Sequence, residues 1–347
     1  MMILTIIIMC RRNLALSAKN VNQPMLINFL LIVAGLALLV YGADRFVVGA
    51  ANIARALGIS PLVIGLTVVG VATSAPEVLV GAVAALDGKT SLAIGNAIGS
   101  NIANIGLVVG ATALFFPLVA QSPTLRREFM IMSTAIVIGL VVLLDGYLGR
   151  VDGIILVGSL ILALGWIVHL ARSSAKTDPL ALELTNEIEG EAPVSVHKSW
   201  ALLFFGLLLL LGGAELLVRG AVAVAQAFGV SDLVIGLTIV AIGTSLPELA
   251  ASIMSVLKNE ADIAIGNVIG SNMFNMLMVL GVPAIIAPTT VSPEVLNRDF
   301  PVMILLTIFM AAMVFIFGKG KFDRKEGALL FCCFAGYQYW LFTAISV

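Results

Sequence analysis

Two glutamates stand inside apolar runs of this chain, and what surrounds one surrounds the other. Glu77 closes the stretch GLTVVGVATSAPE over 65–77, and Glu248 closes GLTIVAIGTSLPE over 236–248. Each stretch is followed by a second repeated unit, GNAIGSNIAN over 95–104 and GNVIGSNMFN over 266–275. One offset of 171 residues relates Glu77 to Glu248 and also Asn104 to Asn275, so both units repeat in register. The offset extends outward: it pairs Asp44 with Glu215, Pro117 with Pro288 and Arg127 with Arg298, and eight of the ten residues at 58–67 recur at 229–238.

The apolar runs are long enough to decide the solvent. Apolar residues make up 60% of the chain and charged ones only 11%, whereas soluble domains carry about 25% charged residues. Spanning the hydrocarbon of a bilayer takes roughly 20 apolar residues in a helix. Runs at 26–43, 56–86, 90–125, 129–144 and 153–168 precede a charged stretch, and runs at 199–227, 233–257, 263–288, 300–318 and 327–347 follow it. The expected fold is an all-α polytopic membrane protein of ten transmembrane helices, arranged as two five-helix repeats over 25–171 and 199–347. Five is odd, so the second repeat enters the bilayer from the opposite side, which gives inverted topology, a plan common in secondary transporters.

Residues 172–198, where charge returns, read as a linker. Residues 1–24 read as a dispensable extension: their apolar run is too short to span, and the arginines Arg11 and Arg12 follow it rather than precede it as in a signal peptide. Met25 is an alternative first residue. Twelve Lys and Arg fall on the side of the linker, against seven on the side of the termini, four of them outside the extension. The positive-inside rule then puts the linker in the cytoplasm and both termini outside the cell's inner membrane. A net charge of −1 offers no basic face for nucleic acid. Cys10, Cys332 and Cys333 form no disulfide or metal pattern.

An ionised carboxylate at membrane depth costs several kcal/mol unless paired, protonated or ligating. A structural acid, protonated and bonded between helices, is the plain alternative; repetition with identical neighbours argues against it. Pro76 and Pro247 each delete one helical hydrogen bond beside the acid, and backbone freed at this depth survives only where it lines a cavity or finds a partner. Thr73, Ser74, Thr244 and Ser245 add hydroxyl oxygens, and Asn104 and Asn275 add amide oxygens. An all-oxygen set with two carboxylates suits a hard cation, Ca²⁺ by its taste for 6–8 oxygens, or Na⁺ by its neutral members. Ser100, Ser271, Asn101 and Asn272 fit interhelical hydrogen bonding as well as ligation. Gly95, Gly99, Gly266 and Gly270 let helices approach closely. Asp44 and Glu215, near Arg45 and Arg219, read as structural or gating acids; Asp145 and Asp152 read as solvated turn residues, and the acids of 178–191 as a solvated loop rather than a regulatory Ca²⁺ surface.

These paired units resemble the alpha repeats of the cation/Ca²⁺ exchanger superfamily, most closely prokaryotic sodium/calcium exchangers, over about 25–347. The resemblance implies four ion sites between the second, third, seventh and eighth helices. It implies that Glu77 and Glu248 ligate Ca²⁺ with the carbonyls of Thr73 and Thr244. Ser74, Ser245, Ser100, Ser271 and the carbonyls of Gly70 and Ala241 complete Na⁺ sites, and Asn104 and Asn275 face the central one. Two departures stand out. Ala72 replaces the glycine found at 243, which is expected to shift the break in the second helix. Asn275 replaces an aspartate of some relatives, which makes K⁺ dependence less expected.

The implied activity is antiport of Na⁺ against Ca²⁺ by alternating access, with the first and sixth helices sliding past the ion-holding bundle. Exchange of H⁺ for Ca²⁺ is the alternative, disfavoured by asparagines at 101, 104, 272 and 275 where proton-coupled relatives tend to carry acids. A hydrolase needs a base at matching depth, and both histidines, His169 and His197, border the linker. No cofactor is expected; the partners are Ca²⁺, Na⁺ and lipid, with the protein acting as a monomer and not an enzyme.

Overall fold

With no water in hydrocarbon to satisfy the backbone, charge-free runs close their hydrogen bonds internally as helices. A computed structural model describes residues 25–119, 125–174, 195–228, 241–317 and 321–345. The extension 1–24, most of the linker and the repeat match at 229–238 lie outside the described residues. The helices are α1 (Met25–Leu57), α2 (Pro61–Leu86), α3 (Thr90–Phe115), α4 (Leu125–Leu143), α5 (Arg150–Ser174) and α6 (Val196–Ala227). There follow α7 (Ala241–Thr244), α8 (Leu246–Leu257), α9 (Ala261–Ile286), α10 (Val295–Ile316) and α11 (Arg324–Ile345). Seven of these, α1, α2, α3, α5, α6, α9 and α10, are long and apolar enough to cross a membrane.

Burial sorts the helices into layers. In α3 and α9, 83% and 78% of the apolar window is buried inside the protein; in α1 and α6 the shares are 22% and 28%. The first pair is therefore the centre, and the second an outer pair whose exposed leucines, valines and phenylalanines suit lipid. Glycines join the outer pair. Gly35, Gly42 and Gly49 recur every seven residues on α1, and Gly206, Gly213 and Gly220 do so on α6. A Cβ at Gly35 would lie 2.5 Å from the Leu217 nitrogen, one at Gly49 2.5 Å from the Leu203 nitrogen and one at Gly220 2.6 Å from the Asn28 carbonyl oxygen. The two helices thus run antiparallel with their backbones in contact, which only residues lacking a side chain permit.

Contacts elsewhere reciprocate between the halves. α5 packs on the end of α9, and α11 packs on the end of α3. Two short strand pairs do likewise: β1 (Leu118–Val119) pairs antiparallel with β4 (Lys321–Phe322), and β2 (Tyr147–Leu148) with β3 (Thr289–Thr290). Asp145 is exposed and Asp152 partly so, as expected of turn residues, and they also accept the backbone N–H groups of Tyr147 and Gly149 at 2.9 and 2.8 Å, which fixes the turn before α5.

Charges tie α1 to the turn between α8 and α9. Asp44 meets Lys258, and Arg45 at 3.5 Å, while Arg55 meets Glu260. Glu215, the counterpart of Asp44, pairs with Arg219 on its own helix at 2.6 Å. The Lys258 and Asp44 side chains are 39% and 24% exposed, so solvent screens the pair. Lys258→Ala is expected to cost less than about 1 kcal/mol, read as a small, salt-sensitive shift in thermal unfolding of the purified protein.

Candidate cation site

Both glutamates sit just after a break. Ser74 and Ser245 leave helical geometry in the same way, at φ −83°, ψ 1° and φ −92°, ψ 2°. A new helical segment starts immediately afterwards, with Pro76 or Pro247 in its first turn, where a missing N–H is harmless. The expected shift of the break at Ala72 does not occur. Gly243, its counterpart, instead faces the Val218 side chain, which a Cβ would strike. That glycine serves packing against α6 rather than the break.

The α2 backbone lies directly on α9. A Cβ at Gly65 would come within 2.5 Å of the Ile263 carbonyl oxygen, one at Gly70 within 3.1 Å of the Gly270 backbone and the Ser271 nitrogen, and one at Gly266 or Gly270 would overlap the carbonyls of Leu62 or Leu66. Gly95 and Gly99, expected to do the same, have nothing within 4 Å among the described residues. The close approach carries Gly70 and Thr73 of α2 up to Ser271 of α9.

α3 and α9 each contain a π-helical turn, at Asn104–Val109 and Asn275–Val279. In the second, the Leu280 N–H reaches back to the Asn275 carbonyl at 3.1 Å. Such insertions widen the helix locally and recur at functional sites. Both begin on the asparagines singled out from sequence. Ser100 and Asn104 share one face of α3, and Ser271 and Asn275 share one face of α9, by their four-residue spacing.

Glu77 and Glu248 are each 1% exposed. The Thr73 hydroxyl donates to Asn267 Oδ1 at 3.0 Å and lies 3.3 Å from Ser271 Oγ. Asn104 Nδ2 donates to Asn272 Oδ1 at 3.2 Å, and Asn101 Nδ2 to Met303 Sδ at 3.5 Å. Ser100, Ser245 and Asn275 are buried as well. Thr244 and Ala241 lie on α7, directly before the second break.

Buried without a hydrogen-bond partner among the described residues are, besides Asn101 Oδ1, six oxygens of this region that match in pairs across the halves: Ser74 Oγ and Ser245 Oγ, Glu77 Oε2 and Glu248 Oε2, Asn104 Oδ1 and Asn275 Oδ1. Native proteins leave few such atoms, because each costs about 1–3 kcal/mol or more. Here they belong to residues matched in pairs across the two halves. Among the described residues no group of three His, Cys, Asp or Glu gathers, so two carboxylates carry the charge of the region. Two amides not assigned a role from sequence also belong to it: Asn96 and Asn267 donate to the Glu77 and Glu248 carbonyls, each at 3.4 Å. Their place in both Gly-Asn units was the available signal.

The profile of the family described as sodium/calcium exchanger protein matches residues 27–169 and 198–343. Inner membrane protein YrbG of Escherichia coli is 42% identical over 322 residues, covering 91% of this chain and 98% of its own. Sodium/calcium exchanger MaX1 of Methanosarcina acetivorans is 31% identical over 351 residues, covering 91% and 99%. Among solved structures, the sodium-calcium exchanger NCX_Mj soaked with 2.5 mM Na⁺ and 0.1 mM Ca²⁺ aligns with a TM-score of 0.76 at 34% identity, over 89% of this chain and 96% of that one. The all-helical bundle described above is therefore shared with a solved exchanger. By profile, relatives and fold together, this chain belongs to the sodium/calcium exchanger protein family and is a multi-pass membrane protein.

Proposed function

We propose that the protein is a secondary antiporter that exchanges Na⁺ for Ca²⁺ across the cytoplasmic membrane by alternating access. The observation that carries this reading is the set of six unpartnered oxygens around two buried carboxylates. Two carboxylates neutralise one Ca²⁺, or balance Na⁺ ions instead, but not both loads together. Competition for one cage turns two fluxes into exchange rather than cotransport. In this reading Glu77, Glu248 and the carbonyls of Thr73 and Thr244 hold Ca²⁺. Ser74, Ser245, Ser100, Ser271 and the carbonyls of Gly70 and Ala241 serve Na⁺, with Asn104 and Asn275 at the centre.

The architecture we propose has ten transmembrane helices in two inverted repeats, over 25–171 and 199–347, with the linker 172–198 in the cytoplasm and both termini outside. The offset of 171 residues supports it, as do the reciprocal strand pairs and the crossed packing of α5 and α11. The antiparallel pair α1–α6 is the element proposed to slide, in a protein acting as a monomer. The names of MaX1 and NCX_Mj support sodium as the coupling ion.

Isotopic Ca²⁺ uptake into proteoliposomes tests the coupling. Vesicles loaded with Na⁺ and diluted into Na⁺-free medium are expected to accumulate Ca²⁺, and collapse of the Na⁺ gradient to stop it. Uptake that survives this collapse but ends when a proton gradient is collapsed would assign H⁺/Ca²⁺ exchange instead.

A further inference from the structure

Asn267 is 1% exposed on α9 and uses every hydrogen-bonding direction of its amide. A primary amide offers two donor hydrogens and two acceptor lone pairs. Oδ1 accepts the Thr73 hydroxyl at 3.0 Å and the Ser271 hydroxyl at 3.5 Å. Nδ2 donates to the Glu248 carbonyl at 3.4 Å and to Ser252 Oγ at 3.3 Å. One side chain thus links α2, α8 and α9, from both halves of the chain.

The direction of these bonds matters for a cation. A hydroxyl binds a cation through its lone pairs, and its proton repels the ion if it points the same way. Asn267 Oδ1 is the nearest acceptor to the Thr73 hydroxyl, ahead of Ser271 Oγ at 3.3 Å and the Gly70 carbonyl at 3.5 Å, and it is within reach of the Ser271 hydroxyl; with both protons on Oδ1, they turn away from the rest of the region and leave the oxygen lone pairs to face it. The same amide pins the carbonyl of Glu248, whose side chain is one of the two buried acids. Asn96 makes the matching bond to the Glu77 carbonyl at 3.4 Å, but Gly81 stands where the other half has Ser252. The second acceptor of the amide, Ser252 Oγ, is therefore particular to one half.

We propose that Asn267 is a positioning residue of the cation site, which takes the hydroxyl protons of Thr73 and Ser271 so that both oxygens can ligate. This rests on the reading of the region as a cation site. The test uses the purified full-length protein in detergent and measures Ca²⁺ binding by calorimetry, with thermal unfolding in Ca²⁺-free buffer as the check on folding. Asn267→Ala is expected to fold and to weaken Ca²⁺ binding tenfold or more. Asn267→Asp keeps an acceptor for both hydroxyl protons and is expected to bind within about threefold of wild type, or more tightly. Ser252→Ala, which touches only the far side of the amide, is expected to bind within about twofold of wild type.

Wild-type affinity in Asn267→Ala would overturn the proposal, and so would an Asn267→Asp variant as weak as Asn267→Ala, since a role carried by the Nδ2 donations to Glu248 and Ser252, which both variants lack, predicts both to fail together. If Asn267→Ala does not fold, Asn267→Asp alone decides, with binding more than tenfold weaker as the contrary result. Wild-type protein that binds no Ca²⁺ would instead sink the cation-site reading, a different outcome from a site that binds Ca²⁺ and ignores residue 267.

Discussion

Glu77→Gln and Glu248→Gln are each expected to abolish Ca²⁺ transport in a protein that still folds. Glutamine keeps the shape of the side chain and one carbonyl oxygen, and removes the charge. With two carboxylates as the only acids of the region among the described residues, either change leaves a divalent ion half neutralised. Removing one partner of a buried charge pair costs about 3–5 kcal/mol, which is roughly a hundredfold or more in affinity. Folding should not suffer. Both acids are 1% exposed, and without a cation two like charges buried together are costly to the folded state. Each variant should therefore unfold at the same temperature as wild type, or higher, in cation-free buffer, and lose the stabilisation that added Ca²⁺ gives by binding the native state. Isotopic uptake and melting curves of the same preparations read both effects. Normal uptake by either variant would remove that residue from the site.

Adjacent glycines on α6 should differ sharply. Gly213 faces α1, where a Cβ would overlap the Leu39 nitrogen and lie 2.8 Å from the Gly35 carbonyl oxygen; Gly212 has nothing within 4 Å among the described residues. Backbone cannot yield as a flexible side chain does, so Gly213→Val must push α1 and α6 apart. Overpacking a close contact costs about 1–3 kcal/mol and occasionally more, and here the upper end applies, because the outer pair is held along its length by three glycines from each helix. Gly213→Val is expected to lower the unfolding temperature by several degrees or to prevent accumulation of folded protein. Gly212→Val should accumulate and melt like wild type within about 0.5 kcal/mol. Equal melting of the two variants would mean that α1 and α6 do not meet along this seam.

Much of this was legible because the chain states it twice. The register of 171 residues alone locates both glutamates, both breaks and both π-helical asparagines, and freedom from charge marks most helices. What escaped was contact between segments far apart in sequence. Asp44 was read against its neighbour Arg45, yet it also meets Lys258 on the far turn. Ser252 has no counterpart, since position 81 is glycine, so duplication gave no reason to single it out. Ala72 is the opposite case: a difference between the copies suggests an effect on the break, whereas Gly243 answers to the Val218 side chain. The seven-residue glycine spacing on α1 and α6 was present in the sequence, but only the backbone approach shows what it is for. Strands of two residues, paired across the halves, carry no period long enough to read.

The central claim is that Ca²⁺ and Na⁺ occupy one oxygen cage in turn. It is tested most directly by titrating the purified protein with Ca²⁺ at stepped Na⁺ concentrations, with choline holding ionic strength constant. The account predicts that the apparent dissociation constant for Ca²⁺ climbs steeply with Na⁺, faster than one-for-one competition allows, because more than one Na⁺ is needed to replace the divalent charge. A Ca²⁺ affinity that stays the same at every Na⁺ concentration would contradict it.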